Sequence, residues 1–248
     1  MNPDDVVLEL RGVFKTFRAG KMRVEALKGV SLTVPRGSFV AVVGASGSGK
    51  TTMLRIMGGL EIPDRGEVLL RPASQGCPRH PVGMVFQEHR LFPWLTVLQN
   101  VAFPLEGTMP RREASIRAME SLEMVGLSRF AGAKPKELSG GMAQRAALAR
   151  ALAFHPEVVL MDEPLGALDY FTRRELQLKL QEILLNMKKT FVMVTHDVDE
   201  AVFLADRVAV LREGGLEGVL DVPLPRPRGL DLPEVVLLRR RVLNMIGG

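Results

Sequence analysis

Two kinds of apolar segment alternate along the chain. FVAVVG (39–44), VGMVF (82–86), VVLM (158–161) and FVMVT (191–195) are short, nearly uninterrupted apolar runs rich in β-branched residues. Such runs predict strands buried on both faces, as in a parallel sheet. RVAVL (207–211) predicts one more. VVLEL (6–10), VSLTV (30–34) and EVLL (67–70) are β-favouring stretches flanked by turns or charges, and they make the first third of the chain rich in strands. Long helical segments separate several of the buried runs. The pattern therefore predicts an α/β fold with helices on both faces of a parallel sheet.

Between Gln87 and about Arg150 the chain has no comparable buried strand. In RREASIRAMESLEMVGL, residues Ile116, Met119, Leu122 and Val125 recur near helical spacing with charges on the other side, which predicts an amphipathic helix. A second helix, rich in alanine, is expected from about Gly141 to Phe154. Residues 88–150 thus read as a mostly helical subdomain projecting from the sheet core. After DVPLPRPRGLDLP, which prolines interrupt, VVLLRRRVLNMI forms a short amphipathic stretch. Its arginine triplet reads as a solvated helix face rather than a membrane anchor. The expected organisation is one domain over 1–230 and a short helical tail over 231–248.

Composition narrows the class. With 248 residues, 46% hydrophobic and 25% charged, the chain suits a folded soluble protein with one large domain, or a core with a subdomain. No apolar run reaches membrane-spanning length, and no basic segment leads into a signal-like apolar core. The single cysteine, Cys77, excludes an intrachain disulfide and a thiol cluster for zinc, so a cytosolic location is expected. The formal charge of +5 favours an anionic ligand or a membrane surface without specifying either. Aromatics at 5%, with no long basic block among them, make nucleic acid an unexpected partner.

The chemistry concentrates at strand ends. GASGSGKT (44–51) follows a buried strand and precedes a helix-compatible stretch, matching the phosphate-loop pattern G-x-x-x-x-G-K-T in full. Gly44, Gly47 and Gly49 let the backbone of Gly44, Ala45, Ser46, Gly47, Ser48 and Gly49 curl with its N–H groups inward, and the following helix adds its positive end. Lys50 reaches the β- and γ-phosphates, Thr51 offers a hydroxyl to Mg²⁺, and Thr52 helps to hold the α-phosphate. A plain glycine-rich turn explains the glycines but not Lys-Thr at the required offset. In VVLMDEP (158–164), Asp162 emerges at the strand end as a hard oxygen ligand for Mg²⁺ beside Thr51. Glu163 points elsewhere in an extended chain, which suits a carboxylate that activates water near the γ-phosphate. Gln87 ends VGMVF and His196 ends FVMVT, where parallel strands deliver side chains to a ligand crevice. Gln87 is suited to contact Mg²⁺ or water without adding charge, and His196 to hydrogen-bond a γ-phosphate oxygen or the attacking water. His80, His89 and His155 lack comparable placement and read as structural.

LSGGMAQR (138–145) is a second, smaller cradle. Ser139 offers a hydroxyl, Gly140 and Gly141 permit close backbone approach, and a helix end is again positive. Phosphoryl transfer needs donors around a spreading charge and exclusion of bulk water. One chain folding this cradle over its own nucleotide and two chains capping each other head to tail both satisfy that need. An ordinary serine cap on a helix is the simpler alternative.

GASGSGKT, Gln87, LSGGMAQR, VVLMDEP, the turn GALD (166–169) and His196, in this order, resemble the ATP-hydrolysing subunit of an ATP-binding-cassette (ABC) transporter over nearly the whole chain. The resemblance implies a P-loop NTPase core with an N-terminal antiparallel β-subdomain and an inserted helical subdomain. It implies ATP and Mg²⁺, with Glu163 as catalytic base, Lys50 on the phosphates, and Thr51, Gln87 and Asp162 at the metal. It also implies a head-to-tail dimer, in which Ser139, Gly140 and Gly141 meet the partner's γ-phosphate and Asp169 crosses the interface. Gln87 resembles the residue linking nucleotide state to the membrane subunit, and His196 the switch histidine. The adenine-stacking aromatic falls on Phe17 in VFKTFRAG, where tyrosine is commoner, with Phe14 close by.

RLFPWL carries Leu91, Phe92, Trp94 and Leu95 as a proline-interrupted apolar run just after Gln87, and reads as a patch that receives a helix of another protein. The resemblance makes Glu88–Leu95 the groove for the permease's coupling helix. It places the protein peripherally on the cytoplasmic face of the inner membrane, with a solute-binding protein as indirect partner. The wording of this region, of THDVDEAVFLADRVAVL and of the PRPR tail is similar to importers of the nitrate/sulfonate/taurine group, and no large C-terminal regulatory extension follows. The alternatives are a soluble cassette ATPase acting on ribosomes or DNA, and an exporter subunit. The first typically carries paired cassettes or long charged linkers, absent from this sequence.

Overall fold

The computed structural model describes residues 5–20, 22–71, 81–166, 168–187, 189–229 and 232–247; Cys77 and His80 lie outside them. The chain opens with a long antiparallel hairpin of β1 (Val6–Ala19) and β2 (Met22–Pro35). β3 (Phe39–Val43) then runs through the glycine-rich loop into α1 (Lys50–Met57). β4 (Arg65–Leu70) pairs with β1, and β5 (Val82–Val85) leads to a helical arm of α2 (Val97–Ala102), α3 (Arg111–Met124) and α4 (Gly140–Leu152). There follow β6 (Val158–Asp162), α5 (Tyr170–Asn186), β7 (Thr190–Thr195), α6 (Val198–Leu204), β8 (Arg207–Arg212), β9 (Gly215–Asp221) and α7 (Pro233–Gly247).

The strands form two sheets, ordered β2-β1-β4 and β5-β6-β7-β3-β8-β9. The pleat sends alternate residues to opposite faces, so the continuous apolar runs feed two cores. Val40, Val42, Leu160, Val192 and Val194 pack with Met53, Leu54 and Met57 of α1 and with the inner face of the hairpin. Phe39, Ala41, Val43, Met161, Phe191 and Met193 pack with side chains of α4, α5, α6 and α7. Complete burial of each such valine or leucine contributes about 1.5–3 kcal/mol. The apolar runs are continuous because neither face of the large sheet is wet.

Three expectations change. The large sheet is mixed: β5, β6, β7, β3 and β8 are parallel, but β9 joins as an antiparallel edge that the apolar pattern did not mark, since two of its seven residues near the centre and start are glycines. The hairpin strands run well beyond 6–10 and 30–34, because cross-strand pairing continues through exposed positions such as Met22 and Val24, where no core imposes a pattern. In α3 the inward face is Ala114, Ala118, Ser121 and Leu122, with Val125 after it, while Ile116 is 52% exposed. Small residues let α3 lie close to α2 and α4, and a stripe of alanine and serine escapes a search for large apolar side chains.

The proline-rich tail is built around a buried arginine. Arg228 Nη1 donates to the carbonyls of Val202 (3.0 Å) and Ala205 (2.5 Å), and Nη2 to those of Leu224 (2.8 Å) and Val222 (3.4 Å). Arg226 Nη2 takes the Leu204 carbonyl at 2.6 Å, and Gln181 Nε2 takes that of Phe203 at 3.1 Å. The carbonyls of 202–205, which the end of α6 leaves without intrahelical partners, are thereby all satisfied. Burial lowers the Arg228 pKa to about 10, which still leaves it charged at neutral pH. The triplet of α7 behaves as expected: Arg239, Arg240 and Arg241 are exposed, and Arg239 pairs with Asp199 at 2.7 Å. Replacing Arg228 by methionine leaves several buried carbonyls unpaired, with an expected cost of about 2–4 kcal/mol in a urea titration. A shift below about 0.5 kcal/mol would show that the guanidinium does not hold this corner.

Candidate nucleotide site

The carboxyl ends of β3, β6 and β7 lie side by side, so residues 44–51, 162–163 and 195–196 meet at one edge of the sheet. Gly49 caps α1 with φ 101°. A methyl group there would be strained and would run into the Ala26 carbonyl, so the residue opening the helix must be glycine. Lys50 follows, only 5% exposed, and its Nζ donates to the carbonyls of Gly44 (2.8 Å) and Ala45 (2.9 Å). Burial lowers its pKa, while Glu163 and Asp162 act in the opposite direction. The Ser48 hydroxyl is buried without a hydrogen-bond partner among the described residues.

A cleft of about 330 Å³ opens over this loop, lined by Phe17, Val24, Ala26, Ser46, Gly47, Gly49, Lys50, Thr51, Thr52 and Glu163. Phe17 and Phe14 were both near enough in sequence to stack on a base. The structure puts Phe17 in this cleft, 41% exposed, with Lys15 Nζ 5.3 Å from its ring centroid. Phe14 lies away from it, and Gly29 packs against its ring.

At the end of β6 the two acids diverge. Asp162 is buried and its Oδ1 accepts from Thr51 Oγ1 at 3.0 Å; burial raises its pKa, an effect that the Thr51 hydrogen bond opposes. A hydroxyl and a carboxylate in contact at the head of a phosphate loop form a hard-oxygen pair of the kind Mg²⁺ takes together with phosphate oxygens and water. Among the described residues no three His, Cys, Asp or Glu side chains converge as an all-protein metal cage. Glu163 turns away with φ 41°, a strained value for a residue with a side chain, while its N–H donates to the Val194 carbonyl at 2.9 Å. The turn carries its carboxylate to the cleft, where Oε2 stands 3.1 Å from His196 Nδ1.

Below His196 lies a polar cluster that sequence reasoning missed. Glu200, 3% exposed, accepts from Thr195 Oγ1 at 2.5 Å, and the same hydroxyl accepts from the Asp197 N–H at 3.1 Å. Its other oxygen is buried without a partner among the described residues, and burial pushes the pKa up to about 7. Asp197 and Glu163 add to that effect; Thr195 and Arg173 oppose it. In THDVDE the buried acid hides behind Asp197, the N-cap of α6, and Asp199. Only its place one turn before Leu204, on an apolar face, distinguishes it.

The remaining candidates stand outside the cleft lining. Gln87 is exposed just beyond β5. Ser139 caps α4, accepting from the Met142 N–H at 3.3 Å. Gly140 is exposed, and a methyl there would meet only Leu168 at an ordinary 3.8 Å. Gly141 differs: a methyl would collide with the Thr172 side chain of α5. The second glycine thus has a reason inside its own chain, and Gly140 alone keeps its outer side open. Asp169 caps α5, accepting from the N–H groups of Phe171 and Thr172 at 3.1 Å; the Thr172 side chain and then these N–H groups hold its pKa down. In the apolar run after Gln87, Leu91 is buried in the core, against expectation, whereas Trp94 is 68% exposed in a ring cluster with Phe92 (5.4 Å), which also meets Phe103 (4.7 Å). His89 and His155 are both exposed; partial desolvation, with Lys189 and Arg117 nearby, lowers the His155 pKa.

The family profile described as ABC transporter matches residues 27–166, more than half of the chain. The chain belongs to the ABC transporter family. It is similar to the aliphatic sulfonates import ATP-binding protein SsuB 1 of Agrobacterium fabrum, with 46% identity over 98% of this chain and 84% of that one. It is 45% identical to the bicarbonate transport ATP-binding protein CmpC of Synechococcus elongatus over 82% of this chain but only 32% of that longer protein. Among solved structures, the ATP-binding cassette MJ0796, in a dimeric post-hydrolysis state bound to ADP and Pi, matches with TM-score 0.76 and 38% identity over 90% of this chain and 99% of that one. The fold is that of an ABC ATPase, a P-loop core with an antiparallel β-subdomain and a helical arm, and the chain is an enzyme of that type. Among the described residues no helix is long and apolar enough to cross a membrane.

In this ABC ATPase the raised pKa of Glu200 makes stability depend on pH. Between the ordinary 4.5 and about 7 the folded chain retains a proton that the unfolded chain releases. The contribution is therefore complete below 4.5 and is lost as the pH rises through about 7. Glu200→Gln is expected to flatten the fall in Tm between about pH 5 and about pH 8. Parallel Tm profiles for the two proteins would show that the carboxyl does not titrate in the fold.

Proposed function

We propose that the chain is the ATP-hydrolysing subunit of a membrane importer for a small solute, working as a head-to-tail pair. The observation that carries the reading is the Glu163–His196 contact of 3.1 Å beside a buried Lys50 in a glycine-walled phosphate loop. Phe17 stacks on adenine, with Val24 and Ala26 around it. The N–H groups of 44–49 and the ammonium of Lys50 hold the phosphates, and Thr52 holds the α-phosphate. Thr51, Asp162 and Gln87 would hold Mg²⁺, which would supply neutralisation of the phosphate oxygens.

Glu163 takes the proton of the attacking water, and His196 orients that carboxylate and donates toward the γ-phosphate. Ser139, Gly140 and Gly141 close over the partner's nucleotide, and Asp169 contacts the partner beside it. The dimeric state of the MJ0796 cassette supports the two-chain arrangement. On this reading residues 1–230 are the ATP-binding domain with the helical arm at about 88–150, and 231–248 a tail.

The solute belongs to the nitrate, sulfonate and taurine class or is a related small anion such as bicarbonate; the names of the sulfonate and bicarbonate relatives support this. The permease binds along Glu88–Leu95, where Trp94 presents an exposed ring, and the protein sits peripherally on the cytoplasmic face, served indirectly by a solute-binding protein.

Glu163→Gln is expected to retain ATP binding, slow turnover by about 100-fold or more, and accumulate an ATP-dependent dimer in sedimentation. Normal steady-state hydrolysis would remove Glu163 from the role of base. Trp94→Glu is expected to abolish stimulation of ATP hydrolysis by the reconstituted permease and loaded binding protein while changing the isolated chain's turnover less than about twofold. Equal losses in both assays would assign Trp94 to folding instead.

A further inference from the structure

A groove of about 830 Å³ lies on the antiparallel β-subdomain, beyond the nucleotide cleft, and takes no part in the hydrolysis proposed for that cleft. Phe17 belongs to both walls, but the groove has its own centre in Phe14 of β1, Lys28 of β2 and Arg65 of β4. Strand register gathers these three, since Phe14 pairs with Lys28 on one side and with Arg65 on the other. Paired residues share a face of the sheet and neighbouring strands lie roughly 5 Å apart, so one small ligand can touch all three.

The floor is apolar and fixed. Leu27 is buried beneath the groove. The Phe14 ring lies over Gly29, where a methyl group would stand 2.9 Å from its Cζ; the glycine, at φ 75°, leaves the space that the ring fills. Seated in this way, Phe14 is still 42% exposed. The rim is cationic. Its acids are already committed: Asp64 accepts from the Thr16 N–H at 2.7 Å and stands 3.6 Å from Lys15, and Glu25 pairs with Arg23 at 3.2 Å. Among the described residues Arg18, Lys28 and Arg65, which also line the groove, have no acidic partner. Like charges around one ring repel one another, and a bound anion removes that repulsion.

We propose that this groove is a second ligand site, for a planar aromatic molecule carrying two or more negative charges, the chemistry of a nucleoside diphosphate or triphosphate. The base lies against Phe14, and the phosphates lie among Arg18, Lys28 and Arg65. The volume falls within the roughly 300–1,000 Å³ of small-molecule sites. With its acids paired, the groove is suited to sensing a ligand rather than to chemistry on it. Because Phe17 forms part of both walls, occupancy of the groove bears on the ring that lines the nucleotide cleft. The inference does not depend on the pairing of two chains.

The test is equilibrium dialysis of labelled ADP against the full chain: the parent, Lys50→Ala, Lys28→Glu, Arg65→Glu and Phe14→Leu. Lys28 and Arg65 are exposed, so their substitutions are expected to leave Tm within about 2 °C. Phe14→Leu keeps an apolar side chain over Gly29 and removes the π face. The parent is expected to bind about two equivalents, and Lys50→Ala to keep the groove equivalent. The three groove variants keep the cleft equivalent and raise the Kd of the other by about tenfold or more. Raising salt from about 50 to about 300 mM is expected to weaken the groove equivalent further in the parent. A single equivalent in the parent overturns the proposal, as does a second equivalent that all three groove variants leave unmoved. Loss of both equivalents in a groove variant of unchanged Tm also overturns it, by making that residue part of the cleft. Pyrophosphate that displaces ADP from Lys50→Ala as well as ADP itself does would overturn the aromatic half. Two equivalents persisting in Lys50→Ala would instead overturn the role of Lys50 in the phosphate loop, and the groove variants still decide the groove.

Discussion

A buried ammonium shared by two backbone carbonyls and two nearby acids is the interaction on which the site depends. Lys50 gives up most of its hydration, and the Gly44 and Ala45 carbonyls and the charges of Asp162 and Glu163 replace it. That arrangement requires a loop tight enough for Lys50 to reach back over six residues, hence a left-handed Gly49 against the Ala26 carbonyl. It requires β3 to be locked between β7 and β8, so that the loop emerges beside the acids of β6. The two-sided apolar core is what holds those strand ends in place.

The same platform sorts adjacent acids into different tasks. Asp162 stays in the pleat, buried against Thr51, whereas the unusual φ of Glu163 swings the next carboxylate to His196. Behind His196, Glu200 and Thr195 fasten the start of α6 to the end of β7. At the far end of α6, Arg226, Arg228 and Gln181 close the carbonyls. The histidine thus stands in the bend before a short helix fixed at both ends, while Gln87 stands on an irregular stretch braced by Gln144 and Arg150 of the helical arm.

Several features were legible without coordinates because each rests on local chemistry. The phosphate loop, the paired acids at a strand end and the histidine after FVMVT are consecutive residues whose order is their function. Features decided by contacts between distant segments were not. Ile116 matches a helical stripe yet faces solvent, because α3 presents alanines to its neighbours. Leu91 belongs to an apolar run but is buried in the core. Gly141 reads as a phosphate-approach glycine, and Thr172, 31 positions further along, gives it a second reason to lack a side chain. Arg228 resembles a linker charge and is among the most buried polar residues.

The sequence by itself determined which backbone segments are buried on both faces, where the chain curls for phosphate, and which family those motifs resemble. Those are consequences of local covalent order: side-chain alternation, glycine at fixed offsets, an acid after four apolar residues. Only the tertiary structure put Phe17 rather than Phe14 in the cleft, joined Glu163 to His196, buried Glu200, and braced the stretch around Gln87 with side chains of α4. Each of these depends on distances between residues far apart in the chain, and it is the packing of the two sheets and the helical arm that sets those distances.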